Sequence, residues 1–423
     1  MRLTLPTRGI WVLTLLAVLL TAWTTTRETR RWRISPFGDF NNLQTGGQCL
    51  LSGCDPYDFA ALNREIAARH RANPQKWQTK PEVWPMTPVY PTSSLIVLLP
   101  FEDLGWPTAA YLFNALAGVA TAIAVILVLR SLSIGPSSPA AIPLLATLVC
   151  IPMVSAVEFA NPALLVAAML CIACGLLLQA RQLTVAWILL GLSLALKPQL
   201  AIGPVAILFW RRTTRPAAIK ACAVGILLLL AGLAAYRLRL GSFHFLASLR
   251  YALWLSSMAG GSADYANDES FDFLNIQTTF GAIPNLPRLM VQALAWLTTA
   301  ALAAISLFVG RRVCAVNRRP WTMIALATAI SVLPVYHRGY DRVIALVLIP
   351  ATMEIAATSK RLAWLYAALL TLWIANDTIQ SHILRRWLFK PQTPVEDVVF
   401  CTVLLASLWL LPRPAPADRL VAS

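Results

Sequence analysis

Charge is what this sequence has least of. Asp, Glu, Lys and Arg make up 13% of its 423 residues, where a soluble globular domain carries about a quarter. That shortage, beside 58% hydrophobic residues, excludes a water-soluble globular protein. Acid is the scarcer sign, with 19 Asp and Glu against 35 Lys and Arg and a formal net charge of +16. The basic residues do not cluster on a soluble domain, so no nucleic-acid partner is expected and membrane topology is the better explanation of the excess. An internal repeat is also missing. The long polar segment after the first apolar run has no counterpart in the second half, whereas inverted-repeat transporters usually show one. No small-x-small cleavage site precedes Arg27, so the first apolar run reads as a retained span, with a cleaved signal peptide as the alternative.

What is there is a series of apolar runs, each near the roughly 17–25 residues that a bilayer-crossing helix needs. They fall at 10–26, 91–130 (a short leading piece to 101, then 107–130), 139–157, 161–179, 183–196 and 199–210. Further runs follow at 217–236, 289–309, 321–336, 341–357, 362–376 and 395–411. The class these predict is an all-α polytopic membrane protein with about 12 transmembrane helices and large extracytoplasmic loops. The pieces on either side of Lys197-Pro198 are too short to cross vertically and read as broken or shallow helices, which need protein or a wet cavity beside their exposed backbone.

Loop charges orient the chain. Arg130, Arg181, Arg211, Arg212, Arg311, Arg312, Lys360 and Arg361 fall in the same set of loops. The positive-inside rule puts that set, and both termini, in the cytoplasm of a multi-pass plasma (inner) membrane protein. One integral membrane domain then covers 1–411, with extracytoplasmic loops at 27–90 and 237–288 and a cytoplasmic tail at 412–423. In the first loop, Phe59, Leu62, Ile66 and Ala67 recur at helical spacing between Tyr57 and His70, opposite Arg64, Arg69 and Arg71. That pattern predicts a helix lying along the membrane surface. Six of the 8 cysteines lie in or at the ends of apolar runs and read as packing residues, the Cys171-x-x-Cys174 pair included. Cys49 and Cys54 share the first loop, where a small-loop disulfide and two free thiols are both open.

Charge next to a membrane needs a reason, and several such residues gather on the expected outer side. Asp39, beside Phe40, has the setting of a carboxylate with a raised pKa that could take a proton from a hydroxyl. Its plainer reading, from local context alone, is a loop residue stabilising a turn. Lys197 either points into an outward-opening polar cavity or anchors a short helix at the interface. The turn Tyr336–Arg342 offers two arginine forks to a phosphate, Arg338 and Arg342, with His337 and Asp341 for phosphate or sugar; a tight hairpin with an internal Asp341–Arg pair is the other reading. Glu158 and Asn161 end a helix pair on the same side. The segment 256–281 interleaves Asp264, Asp268, Glu269 and Asp272 with aromatic rings, and its Asn275 and Gln277 suit carbohydrate. A solvated loop is its plainer reading, and its spacing is not that of an EF-hand calcium loop. That these residues share one side points to a polar cavity beneath the outer surface.

The motifs also resemble a known family. Gly38-Asp39-Phe40, Gly53-x-x-Pro56-Tyr57, Tyr90-Pro91 leading to Leu98-Leu99-Pro100, Leu196-Lys197-Pro198, and His337-x-x-Tyr340-Asp341 running on to Pro350 occur in that order. Together they resemble glycosyltransferase family 87, whose members are polyprenyl-phosphate-mannose-dependent mannosyltransferase-like enzymes of the GT-C membrane fold. Two departures stand out. Ala160-Asn161 replaces a Gly-Gln step, and Asn275-Ile276-Gln277-Thr278 only approximates an Asn-Gln-Ser-like one.

The resemblance implies an inverting hexosyltransferase. It would move mannose or another hexose from a polyprenyl-phosphate donor in the bilayer to a glycan or glycolipid acceptor of the cell envelope, on the extracytoplasmic face. Asp39 would be the single general base, and one base with one displacement inverts the anomeric carbon. Lys197, Arg338 and Arg342 would hold the donor phosphate. His337, Asp341, Asn161, Tyr57, Asn275 and Gln277 would contact the substrates. Neither a cofactor nor a metal is called for. Two alternatives use similar residues: a transporter or flippase for a lipid-linked or anionic solute, and a surface-glycan ligase using lipid diphosphate donors.

Overall fold

The computed structural model describes residues 38–72, 90–135, 137–241, 246, 250, 276–281, 283, 285–313, 319–332 and 339–379. The expected spans at 10–26 and 395–411 and the tail at 412–423 lie outside them. Among the described residues every regular element is helical.

The first two elements among the described residues are α1 (Gly38–Ser52) and α2 (Phe59–Ala72). The second is helical where the apolar spacing predicts a helix. The first falls where the sequence reads as polar loop, because its buried face is polar. Gln44 Nε2 donates to the carbonyls of Phe101 (2.9 Å) and Leu104 (3.2 Å), and Gln48 Nε2 donates to that of Glu102 (3.0 Å). One turn apart on α1, the two glutamines satisfy carbonyls of the irregular segment that follows α3 (Thr92–Leu98) and the 3-10 turn Leu99–Phe101. Phe40 completes the contact, its ring edge-on to Phe101 at 5.8 Å and tilted on Phe113 at 4.9 Å.

α1 ends in a Schellman turn: Cys54 N donates to Cys49 O (2.9 Å), Gly53 N to Leu50 O (3.2 Å), and Gly53 takes the left-handed φ of 86°. Cys49 and Cys54 stand at the two positions that usually make the hydrophobic contact closing such a turn. Here they form a disulfide, with Cα atoms 4.9 Å apart.

The bundle proper consists of α4 (Trp106–Ser131), α5 (Ala141–Val149), α6 (Ile151–Glu158), α7 (Pro162–Leu178), α8 (Leu183–Leu196), α9 (Pro198–Trp210) and α10 (Arg215–Leu240). After these come the short α11 (Ile276–Gly281), then α12 (Arg288–Val313), α13 (Pro320–Ser331), a 3-10 turn Gly339–Ile344, α14 (Ala345–Ala356) and α15 (Lys360–Ile379). Four apolar stretches among the described residues are long enough to cross a membrane: Thr108–Ser131, Ala141–Glu158, Arg215–Leu240 and Arg288–Ile305. The expected single helix over 139–157 is two: Cys150 is extended (ψ 166°), and Pro152 in the first turn of α6 has no N–H to give the Leu148 carbonyl, which its ring would crowd in a continuous helix.

Lys197 likewise breaks a continuous apolar run, at φ −149° and ψ 76°, because the residue before a proline avoids helical geometry. The helices it joins are antiparallel neighbours. α8 and α9 are therefore each about 20 Å long by helical rise, short of the roughly 30 Å hydrocarbon thickness. Close approaches fix their places. A Cβ on Gly203 of α9 would lie 2.6 Å from the Ala327 carbonyl of α13, and one on Gly232 of α10 would lie 2.6 Å from Thr92 Oγ1. Small residues at such crossings are how membrane helices pack without a hydrophobic drive between them.

At the corner itself, Ser93 Oγ donates to Ala195 O (2.8 Å) and Ser94 Oγ to Leu196 O (2.9 Å). α10 passes this level at Gly232 and continues for a further two turns, about 12 Å. Above the corner Tyr236 donates to Asp55 Oδ2 at 2.8 Å. Arg130, Arg181, Arg211 and Arg319 sit at the other ends of their helices. There Glu354 of α14 caps α13, accepting from Trp321 N (3.1 Å), Thr322 N (2.8 Å) and Thr322 Oγ1 (3.0 Å).

Candidate active site

The turn between α6 and α7 organises the polar cluster. α6 closes with a second Schellman turn, in which Asn161 N donates to Ala156 O (2.8 Å) and Ala160 N to Val157 O (3.1 Å). The left-handed position, φ 46°, is held by Ala160 where glycine is the usual occupant. The next residue, Asn161, is at once the end of that turn and the N-cap of α7. Its Oδ1 accepts from Ala163 N at 2.8 Å, and Pro162 follows in the first helical turn.

The N-terminus of α1 docks on this turn. Asp39 N and Phe40 N both donate to Phe159 O, at 3.2 and 3.3 Å, so backbone donors that a helix start leaves unsatisfied find an acceptor. The same approach brings the side chains together. Asn161 Nδ2 donates to Asp39 Oδ2 at 2.7 Å and to the Tyr90 hydroxyl at 3.3 Å. From the α8–α9 corner Lys197 Nζ donates to Asn161 Oδ1 at 3.2 Å and forms an ion pair with Asp341 Oδ1, carried by the 3-10 turn. Asp39, Asn161, Lys197 and Asp341 thus form one hydrogen-bonded chain of alternating acceptor and donor, drawn from four segments far apart in sequence.

Burial grades along that chain. Asn161 is 1% exposed, Lys197 and Asp341 are 3% each, and Arg342 beside them is 1%. Asp39, at the end of the chain, is only half-buried. Charges this far from water persist only with paired, hydrogen-bonded partners, and the lysine–aspartate pair has them. The arrangement presents a carboxylate that can accept a proton at the open end and a cation held in place behind it.

Of the other residues expected here, Tyr57 is fully buried, and its hydroxyl donates to Tyr90 O at 2.7 Å. Burial, with Asp55 and Tyr236 adding to it, pushes its phenol well above the usual range, so it stays a donor. Tyr57 therefore buttresses Tyr90, which in turn meets Asn161. Gln277 is carried by α11, which packs mainly on α12. His337, Arg338 and Asn275 lie outside the described residues. Tyr90 shows in the sequence as a motif residue and not as a member of the site. Its only signal is the Tyr90-Pro91 step ahead of an apolar run, and Pro91 is what stops α3 from extending back over it. Among the described residues no group of three or more His, Cys, Asp or Glu side chains is placed to share a metal ion.

Comparison with known proteins places this bundle. The sequence model described as Glycosyltransferase family 87 matches residues 89–336. The match takes in Tyr90, Asn161 and Lys197, and stops short of Asp39 on one side and Asp341 on the other. No curated protein and no solved structure matches the chain. A family match over more than half of the 423 residues, on a chain whose described elements are all helical and include membrane-length apolar stretches, makes this protein a member of glycosyltransferase family 87.

Proposed function

We propose that this protein is an inverting glycosyltransferase of the GT-C type, with about 12 spans in all. It moves a hexose such as mannose from a polyprenyl-phosphate donor to a hydroxyl of a glycan or glycolipid acceptor. Asp39 takes the proton of that hydroxyl, the freed oxygen attacks the anomeric carbon from the face opposite the phosphate, and the carbon–oxygen bond to phosphate breaks. Polyprenyl phosphate leaves with the electron pair, and Lys197, Arg342 and Arg338 stabilise its growing negative charge. One displacement inverts the anomeric centre. The observation that carries the reading is the Asp39–Asn161–Lys197 connection, which sets a base and a cation one side-chain amide apart.

Two further features support it. An apolar groove of about 660 Å³ runs between α4, α7 and α8, with Leu116, Ile123, Leu165 and Leu189 along it. Leu98, Phe101 and Leu196 also line it, the last next to Lys197 in the chain, which supports the reading that a prenyl chain lies there. Arg130, Arg181, Arg211 and Arg319 lie at helix ends opposite the cluster, which by the positive-inside rule supports reading both termini as cytoplasmic and the reaction as extracytoplasmic, at the plasma membrane.

The test is transfer by purified protein in nanodiscs, with radiolabelled polyprenyl-phosphate mannose and other polyprenyl-phosphate hexoses as donors. Wild type is expected to turn over at least one donor, and Asp39→Asn to lose about 10²–10⁴-fold in rate. Absence of transfer from every such donor, or an Asp39→Asn variant as active as wild type, overturns the proposal. Labelling of Asp39→Cys in intact cells by an impermeant thiol reagent checks the sidedness.

A further inference from the structure

We infer that Asn161 is the positioning residue of this site: its single amide sets the base and the phosphate-facing cation relative to each other, without itself touching substrate. The inference rests on Asp39 acting as the base.

The hydrogen-bonding capacity of the amide carries the argument. A side-chain amide has two N–H donors and two acceptor lone pairs. In Asn161 all four are engaged within the protein: Nδ2 donates to Asp39 Oδ2 and the Tyr90 hydroxyl, and Oδ1 accepts from Ala163 N and Lys197 Nζ. No donor or lone pair of the amide is left over for a sugar or phosphate. The orientation is also unique. Rotating the amide by half a turn would set its NH₂ against an N–H and an ammonium, and its oxygen against a carboxylate.

Its backbone is equally constrained. The residue ends the Schellman turn of α6 and caps α7, so two helices fix its Cα. Asp39 is tied to the same turn through Phe159 O. Base and amide therefore share one local frame, three hydrogen bonds wide, and the amide passes that frame on to Lys197.

An amide in this position does what a direct ion pair could not. If Asp39 met Lys197 directly, the carboxylate would lose basicity, whereas the ammonium already has its counter-ion in Asp341. With Asn161 between them the N–H end faces the anion and the carbonyl end faces the cation. Each group keeps its charge and is hydrogen-bonded in its ionised form.

Among the described residues the titratable groups around Asp39 are few. Tyr90 shares its amide, Lys197 and Asp341 stand behind that amide with Arg342 adjoining, and Glu158 ends α6 just before Phe159. Glu102, the other buried acid against α1, packs at Gly47, two turns away.

The experiment compares Asn161→Ser and Asn161→Asp with wild type and Asp39→Asn, measuring donor KM, kcat, the pH profile of kcat/KM and thermal stability in nanodiscs. Serine and aspartate both cap helices well, so both variants keep α7 started while removing the donor to Asp39. Asn161→Ser is expected to lose about 10–100-fold in kcat/KM with its melting midpoint near wild type. In Asn161→Asp a carboxylate faces Asp39, so the base holds its proton to higher pH and the acid limb of the profile moves up by about one unit or more. The inference is overturned if Asp39→Asn is inactive while both Asn161 variants keep the wild-type rate and profile. It is equally overturned if their rates fall only in step with stability while the profile stays put. An active Asp39→Asn would instead remove the base reading itself, whatever the Asn161 variants do.

Discussion

Lys197 and Asp341, 144 positions apart in the chain, form an ion pair in which each side chain is 4% exposed. The pair closes the bundle at the level of the site, joining the α8–α9 corner to the turn before α14. Losing one member of such a pair strands a buried charge, which costs about 3–5 kcal/mol. Asp341→Asn is expected to lower the thermal midpoint markedly, and Lys197→Gln added to it to restore part of the loss. Chemical unfolding of the single and double variants checks this, and strict additivity would count against the coupling.

Ala160 holds a left-handed φ of 46° in a fully buried turn. An L-residue pays roughly 1–2 kcal/mol there and glycine pays none. Ala160→Gly removes only a methyl from that position, so a stabilisation of about 0.5–1 kcal/mol is expected after the extra chain entropy of glycine. The readout is the unfolding midpoint, with activity unchanged.

The Cys49–Cys54 bridge clips the end of α1. A loop that short contributes about 2 kcal/mol by chain entropy. Replacing both cysteines by serine is expected to cost about that much and to loosen α1 at the end away from Asp39, leaving kcat nearly intact at low temperature. Alkylation with mass detection under non-reducing conditions should find both thiols protected in the native protein.

Ala120 lines the apolar groove midway along α4. Ala120→Trp fills space there without approaching Asp39 or Lys197. With donors of graded prenyl length, the expected result is a KM raised about tenfold for long-chain donors and unaltered for the shortest one, the loss of about 1.4 kcal/mol that an obstructed chain would feel. Equal effects on all lengths would disconnect the groove from the donor.

Glu354 caps α13 at the far end of the bundle. Glu354→Ala strips three hydrogen bonds from a mostly buried carboxylate site, and about 1–3 kcal/mol of stability should go with them. The pH profile of transfer is expected to stay where it is, in contrast to the Asn161 variants.

Much of this architecture is legible in the sequence because apolar runs in a membrane protein are long and their interruptions are chemical. α7 to α10 fall within a few residues of their expected bounds, since Lys197-Pro198 and Arg211-Arg212 leave no other place for the chain to turn. α1 is not legible. Its buried face is made of Gln44 and Gln48, and a helix that buries amides against carbonyls shows no apolar period. At the site, Asp39, Lys197 and Asp341 each attract notice as charges beside a bilayer. Their convergence on Asn161 does not show, because it depends on a Schellman turn whose left-handed residue is alanine, and only the fold reveals that φ. Tyr57 and Tyr90 stand out as motif residues, but the hydroxyl that braces one against the other is a tertiary fact.

The last two turns of α10, tied at Tyr236 and Asp55, stand about 12 Å above the corner that carries Lys197. Asp55 belongs to the stretch between α1 and α2, so this tie couples the end of α10 to the helix whose first turn carries Asp39. A tilt of α10 would therefore reach Asp39 along α1, without passing through Asn161 or Lys197.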